Sequence, residues 1–185
     1  ADILNSSSSV FNNSGTLTHN STSATSFRPE FNNTGQVNVE SSGNLTIFSA
    51  AGSTDTGYYE VTSATLFFGG SRTFDGSNFS GAGTVEFTSG TFTTNTTLVF
   101  EDLNTTFTQT IDGTGTVLFT ASAGNTIGVG AGAGTVSVTD AELDQITTTN
   151  VIIGNSSAGT VTVDSVSNTT STLSIISGAD VAFSG

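Results

Sequence analysis

Few residues in this 185-residue chain have the types and spacing that chemistry needs. Asp140, Glu142 and Asp144 alternate along the chain. In an extended segment, residues two apart share a face, so three carboxylates would line up as a weak candidate for calcium. The preferred reading is plainer: Ala141, Leu143 and Ile146 anchor a corner and the acids face water. No Gly-Gly-X-Gly-X-Asp repeat accompanies them, so a repeat-bound calcium site is not expected. Glu101-Asp102 is a second carboxylate group to weigh, because glycoside hydrolysis uses two carboxylates across a cleft. The usual helpers are missing: the chain has no Lys and no Trp, and Tyr58 and Tyr59 are its only tyrosines.

His19 is the sole histidine, in Leu17-Thr18-His19-Asn20-Ser21, with no acid near it in sequence. A serine nucleophile would need that base oriented by a distant carboxylate. An exposed strand or turn histidine is the expectation instead. Tyr58-Tyr59-Glu60 is a weak candidate for stacking on a sugar, since exposed rings match apolar sugar faces. Adjacent strand residues point to opposite faces, so one ring is expected to be buried. These residues point to no catalytic site and no cofactor.

Composition narrows the partners. Net charge is −13, from 15 acids set against Arg28 and Arg72. A phosphate backbone is bound by clustered Lys and Arg, so nucleic acid is excluded as a partner. An anionic membrane surface is disfavoured for the same reason. No apolar run approaches the roughly 18 residues that would span a bilayer, so membrane insertion is not expected. Cysteine is absent, which removes disulfides and thiolate metal sites. Ala1 suits a small-residue cleavage site of an exported protein.

The elements that must position these residues are strands. Gly-X-apolar-X-apolar recurs at Gly35, Gly43, Gly83, Gly115, Gly134 and Gly159: a turn, then a strand with one buried face. Phe11-Asn12-Asn13-Ser14-Gly15 returns 20 positions later as Phe31-Asn32-Asn33-Thr34-Gly35. The Gly-Thr-Val units at 115, 134 and 159 are spaced by 19 and 25. Spacings near 20 predict turns of a parallel β-solenoid, with Asn and Thr ladders and Phe stacks inside. An antiparallel β-sandwich is the alternative, since it also gives closely spaced strands.

Thirteen of the 14 phenylalanines lie at or before Phe119. The Phe-rich part, 1–119, and the Val/Ile/Gly-rich part, 120–185, are read as one stack whose core changes width. A separate unit starting near Gly124 is the alternative, and Gly128 to Gly134 is either strand or loop. Thr-X-Thr pairs at Thr16 and Thr18, Thr91 and Thr93, and Thr160 and Thr162 are too irregularly spaced for an ice-binding face. Ten Asn-X-Ser/Thr sequons, among them Asn20, Asn44, Asn95 and Asn168, are expected by chance in so Ser- and Thr-rich a chain.

From Asp140 the chain reads Asp140-Ala141-Glu142-Leu143-Asp144-Gln145-Ile146, then Asn150-Val151-Ile152-Ile153-Gly154, then Ser157-Ala158-Gly159-Thr160-Val161-Thr162-Val163. This resembles the repeat unit of filamentous-haemagglutinin-like exoproteins. Ser171 to Ile175 followed by Gly178 to Phe183 is similar to a next turn. The first two thirds resemble the Asn-Gly-Thr-rich passenger repeats of autotransporter adhesins. The resemblance implies a right-handed β-helix, exported and displayed at a cell surface or released. It implies a structural or adhesive role without catalysis, with glycans or a host surface as partners. Self-association is a second expectation: Val181-Ala182-Phe183 would present an open edge, and subunits stacked head to tail or by strand donation would form a filament. A carbohydrate-binding or carbohydrate-cleaving β-helix is the third.

Overall fold

The computed structural model describes residues 2–3, 9–48, 52–167 and 171–184; Ala1 and the sequon at Asn168 lie outside them. Strands make up 52% of the chain and helix 2%, coiled as a β-solenoid of about 8 turns. Among the described residues every ladder between named strands is parallel, so the sandwich alternative does not hold. A regular turn lays one short strand on each of three faces. Leu45–Phe48, Ser53–Asp55 and Tyr58–Val61 form one such turn, and Thr65–Gly69 begins the next.

The repeat seen in the sequence is the repeat of the coil. Phe11 pairs with Phe31 and Asn13 with Asn33 in register. The glycine that ends this motif is required by backbone approach: a Cβ on Gly35 would lie 2.1 Å from the Gly15 carbonyl oxygen of the turn below.

Inward side chains alternate with outward ones, and inward ones stack in columns along the axis. On the third face Tyr59, Phe79, Phe100 and Phe119 stand in line, with ring centroids 4.7, 5.2 and 5.3 Å apart and planes within 20° of parallel. Phe68 and Phe87 stack likewise on the first face, at 5.6 Å. Between columns the rings meet edge to face, as Phe68 meets Phe74 at 84°. The strand spacing of about 4.8 Å falls within the preferred separation of aromatic pairs, so one geometry satisfies ladder and rings together.

The regular coil changes after Thr120. The third face continues, with Phe119 paired to Ile153 and Ile153 to Ile175. The first face ends at Asn104–Phe107, and a four-stranded sheet continues beside it. Its strand order is Val136–Val138, Ile127–Gly130, Val161–Asp164, Val181–Ser184. The chain therefore lays Ile127–Gly130 first, then doubles back and inserts Val136–Val138 beneath it, in parallel register Ile127 to Val136. Parallel neighbours usually need a crossover of a dozen residues or more. Here residues 131–135 suffice because glycines let backbone lie on backbone. A Cβ on Gly128 would sit 2.0 Å from the Gly132 oxygen, and one on Gly134 2.1 Å from the Gly128 nitrogen. The run from Gly128 to Gly134 is thus half strand and half return.

This excursion corrects one reading of the spacing. The glycines at 115, 134 and 159 do not mark consecutive turns. Gly115 leads into the third face, where Thr116 pairs with Asn150, whereas Gly134 and Gly159 lead into the fourth sheet. The interior stays continuous: one hydrophobic cluster runs from Phe27 to Val161, aromatic as far as Phe119 and aliphatic beyond it. Val181–Ser184 and Thr172–Ile175 lie at the edges of their sheets, and Phe183 is 78% exposed. No helix among the described residues is long and apolar enough to cross a membrane.

Candidate functional surface

The acidic triplet is not extended. Asp140–Leu143 form a single helical turn capped by Thr139. The Thr139 hydroxyl accepts from the Glu142 N–H at 3.2 Å, and Glu142 Oε2 accepts from the Thr139 N–H at 2.9 Å. This reciprocal capping box starts a helix where an alternating strand was expected. It turns the three acids apart. Glu142 points inward, where its Oε1 accepts from Thr105 Oγ1 at 2.8 Å. Burial raises its pKa, against the pull of the Thr139 and Thr105 hydrogen bonds. Asp140 accepts from the Ser167 N–H at 2.7 Å and from its hydroxyl at 2.9 Å, and Asp144 is exposed. The corner reading also needs correction, since Glu142 is buried and Ala141 exposed. Among the described residues no three His, Cys, Asp or Glu converge as a metal site.

Asp140 is one of a set. Where strand pairing lapses, at most corners and between Glu30–Asn33 and Ser53–Asp55, side-chain oxygens accept backbone N–H groups from a neighbouring turn. Asn32 Oδ1 takes Thr54, Asn44 Oδ1 takes Thr65, Ser71 Oγ takes Thr91 and Asp75 Oδ1 takes Asn95. Asp102 is the fullest case. It holds φ 55°, a left-handed value unusual outside glycine. Its Oδ1 accepts from the Ser122 N–H and from Asn125 Nδ2, both at 2.9 Å, and its Oδ2 pairs with the Ser122 hydroxyl. Burial pushes this carboxyl up, but the three hydrogen bonds outweigh it and hold its pKa below the usual range. Asp102 is thus a corner brace, while Glu101 lies outward on the third face. The two do not form a pair across a cleft.

His19 is buried, not exposed. Alternation from Leu17 turns it inward, in register with Val39. Its Nε2 lies 3.0 Å from Thr25 Oγ1, and burial lowers its pKa. The Thr-X-Thr pairs fall on different faces: Thr16 and Thr18 on the third, Thr93 on the second, Thr162 on the fourth sheet.

Tyr58 and Tyr59 separate as alternation requires. Tyr59 is fully buried against Phe79. Tyr58 stands half-buried on the outer third face with its hydroxyl on Ser80 Oγ. There it heads a surface that the sequence did not reveal. In register along the axis come Tyr58, Asn78, Val99, Leu118 and Ile152. The adjacent outward column holds Glu60, Ser80 and Glu101. Val99, Leu118 and Ile152 are all half-buried and follow one another on successive strands. The other outer faces carry large apolar side chains singly, as Phe67 stands between Thr46 and Glu86.

The third face is therefore a strip: an apolar line of Val99, Leu118 and Ile152, set off from Tyr58 by the exposed Asn78 and edged by hydroxyl and carboxylate groups. Its strands carry neither Lys nor Arg. Arg72 is buried in the interior, and Arg28 lies over the Phe48 ring at 5.3 Å. Such a strip offers stacking area and hydrogen bonds to a neutral or cationic ligand and repels an anionic one. Among the described residues there is no enclosed pocket. These features define the class: a solid parallel β-solenoid whose accessible chemistry lies on a flat flank. Comparison with family models, curated proteins and solved structures found no match to the chain.

Proposed function

We propose that this chain is a rigid module of an exported bacterial surface protein, a rod that spaces or adheres and does not catalyse. The observation that carries the reading is the filled parallel stack. Each turn buries its apolar face on its neighbours, and the ladder hydrogen bonds run along the axis. With about 8 turns at about 4.8 Å each, the module is roughly 38 Å long. The resemblance of 140–163 to exoprotein repeats supports surface display. The outer third face is the adhesive flank, with neutral glycans the ligand class that suits it. Many such weak contacts along one rod add through multivalency.

Pulling a single molecule between its first and last described strands tests the mechanical role. Stepwise release of whole turns at sustained load is expected; smooth lengthening with no steps overturns it. Beads coated with the chain, passed over arrayed glycans under flow, test adhesion. Tyr58→Ala with Leu118→Ser should lower retention about tenfold, equivalent to roughly 1.4 kcal/mol, with thermal stability unchanged. If beads bearing the unaltered chain are not retained, the adhesive half of the reading falls and the spacer remains.

A further inference from the structure

The interior of the second face breaks its own pattern at one place. Phe11 and Phe31 stack at 5.5 Å with planes 6° apart, and Phe92 and Ile111 occupy the same column further along. Between them the column holds Ser53 and Arg72, paired in register and both buried. The small Ser53 leaves a notch where a ring would stand, and the guanidinium turns back toward it. Arg72 Nη1 lies 2.5 Å from Asp55 Oδ2 of the preceding turn. Its Nη2 donates to the Phe31 carbonyl, two turns back, at 3.3 Å. The guanidinium lies 4.8 Å from the Phe68 centroid and 5.7 Å from that of Phe74. Asp55 in turn accepts from the Asn33 N–H through Oδ1 at 2.8 Å, and Asn33 Oδ1 accepts from Asn13 Nδ2 at 2.8 Å. One buried charge pair thus ties three consecutive turns.

We propose that the Arg72–Asp55 pair is a register lock that dictates which turn stacks on which. The turns before it repeat one pattern, since Phe11 and Asn13 recur in register as Phe31 and Asn33, and beyond it Phe92 and Ile111 offer the same column a large apolar side chain again. A stack of like turns is satisfied equally well by a slip of one whole turn, or by a turn from a second molecule. A slip would bring Arg72 opposite Phe31 and away from Asp55, leaving two charges buried without each other. Breaking a buried pair is strongly unfavourable, whereas replacing both partners by neutral groups is often tolerated. The pair therefore selects the register more than it adds stability.

Because the chain lacks cysteine, introduced pairs report neighbours cleanly. Thr54 and Thr73 are paired in the native register and point outward. Thr54→Cys with Thr73→Cys reads that register. Asn32→Cys with Thr73→Cys reads a slip, because two strand spacings exceed the roughly 7 Å that a disulfide spans. Each reporter is placed in the unaltered interior, in Asp55→Asn/Arg72→Met, and in Asp55→Asn/Arg72→Gln. After refolding and oxidation, the unaltered interior should give the native link within one molecule. A neutral interior should stay folded by circular dichroism and raise slipped or intermolecular links about tenfold. Exclusive native linkage in a folded neutral interior overturns the proposal. Failure of both neutral interiors to fold also overturns it, because the pair would then be a stability element and not a selector.

Discussion

At the residue scale, the acids act as acceptors for backbone donors at the corners. Asp102→Ala should cost about 1 kcal/mol at neutral pH in chemical denaturation, after allowing for the site's partial exposure. Because its folded pKa lies below the unfolded one, its contribution is present above the unfolded value and lost as pH falls through the folded value. The difference between variant and parent should accordingly shrink in acid. His19 behaves differently. Its folded pKa is lowered, so stability is full above the unfolded value near 6.5 and declines as pH falls through it. His19→Leu should flatten the denaturation midpoint over that range; an unchanged pH dependence would show that the imidazole is not responsible.

Legibility at this scale was uneven. Alternation separated Tyr58 from Tyr59 in advance. The Thr139-X-X-Glu142 capping signature was also present in the sequence, but the alternation of acids masked it. One sequon has a structural origin besides chance: strand positions two apart share an outward face, so Asn104 and Thr106 are polar and exposed together.

At the element scale, turn-then-strand units predicted where strands lie but not which face each occupies. The Phe-Asn-Asn motif gave the register directly because both copies lie in one regular stretch of coil. The Gly-Thr-Val units did not, because the doubling back at 127–138 changes the order of strands without leaving a gap in the periodic pattern. The apolar strip of the third face was hidden for a related reason. Val99, Leu118 and Ile152 sit inside unbroken apolar runs, such as Val117-Leu118-Phe119, where the turn-then-strand pattern marks the inward residues and does not show that outward apolar ones line up on successive turns. Gly128→Val should destabilise the chain by about 2–4 kcal/mol, since the new side chain meets backbone that cannot yield. Removing residues 127–135 as a unit should be tolerated, with Val161–Asp164 settling on Val136–Val138. A cooperative thermal transition in the shortened chain is the outcome to look for.

At the scale of the whole molecule, stability comes from neighbour upon neighbour. Phe87 is fully buried and meets Phe68, Phe92, Phe100 and Phe107, which span three turns. Phe87→Ala should cost about 3–5 kcal/mol. Hydrogen exchange should speed up most in the turns on either side of it, and less toward both ends. Uniform acceleration throughout would mean that the rod opens as one unit.

The doubled-back strand also has a geometric consequence. Beyond Phe107 and Thr120 one flank gains Val136–Val138, Ile127–Gly130 and Val161–Asp164 before the chain leaves Thr172–Ile175 on the other, which has gained only that strand and Asn150–Ile153. One wall is taller than its opposite by a single strand, about 4.8 Å, and a filled interior leaves no room to hide the difference. An extra strand in one wall would act as a wedge, tilting the axis away from the taller side. Many copies of such a segment in series would trace an arc or a coil, with curvature set by how often the wedge recurs.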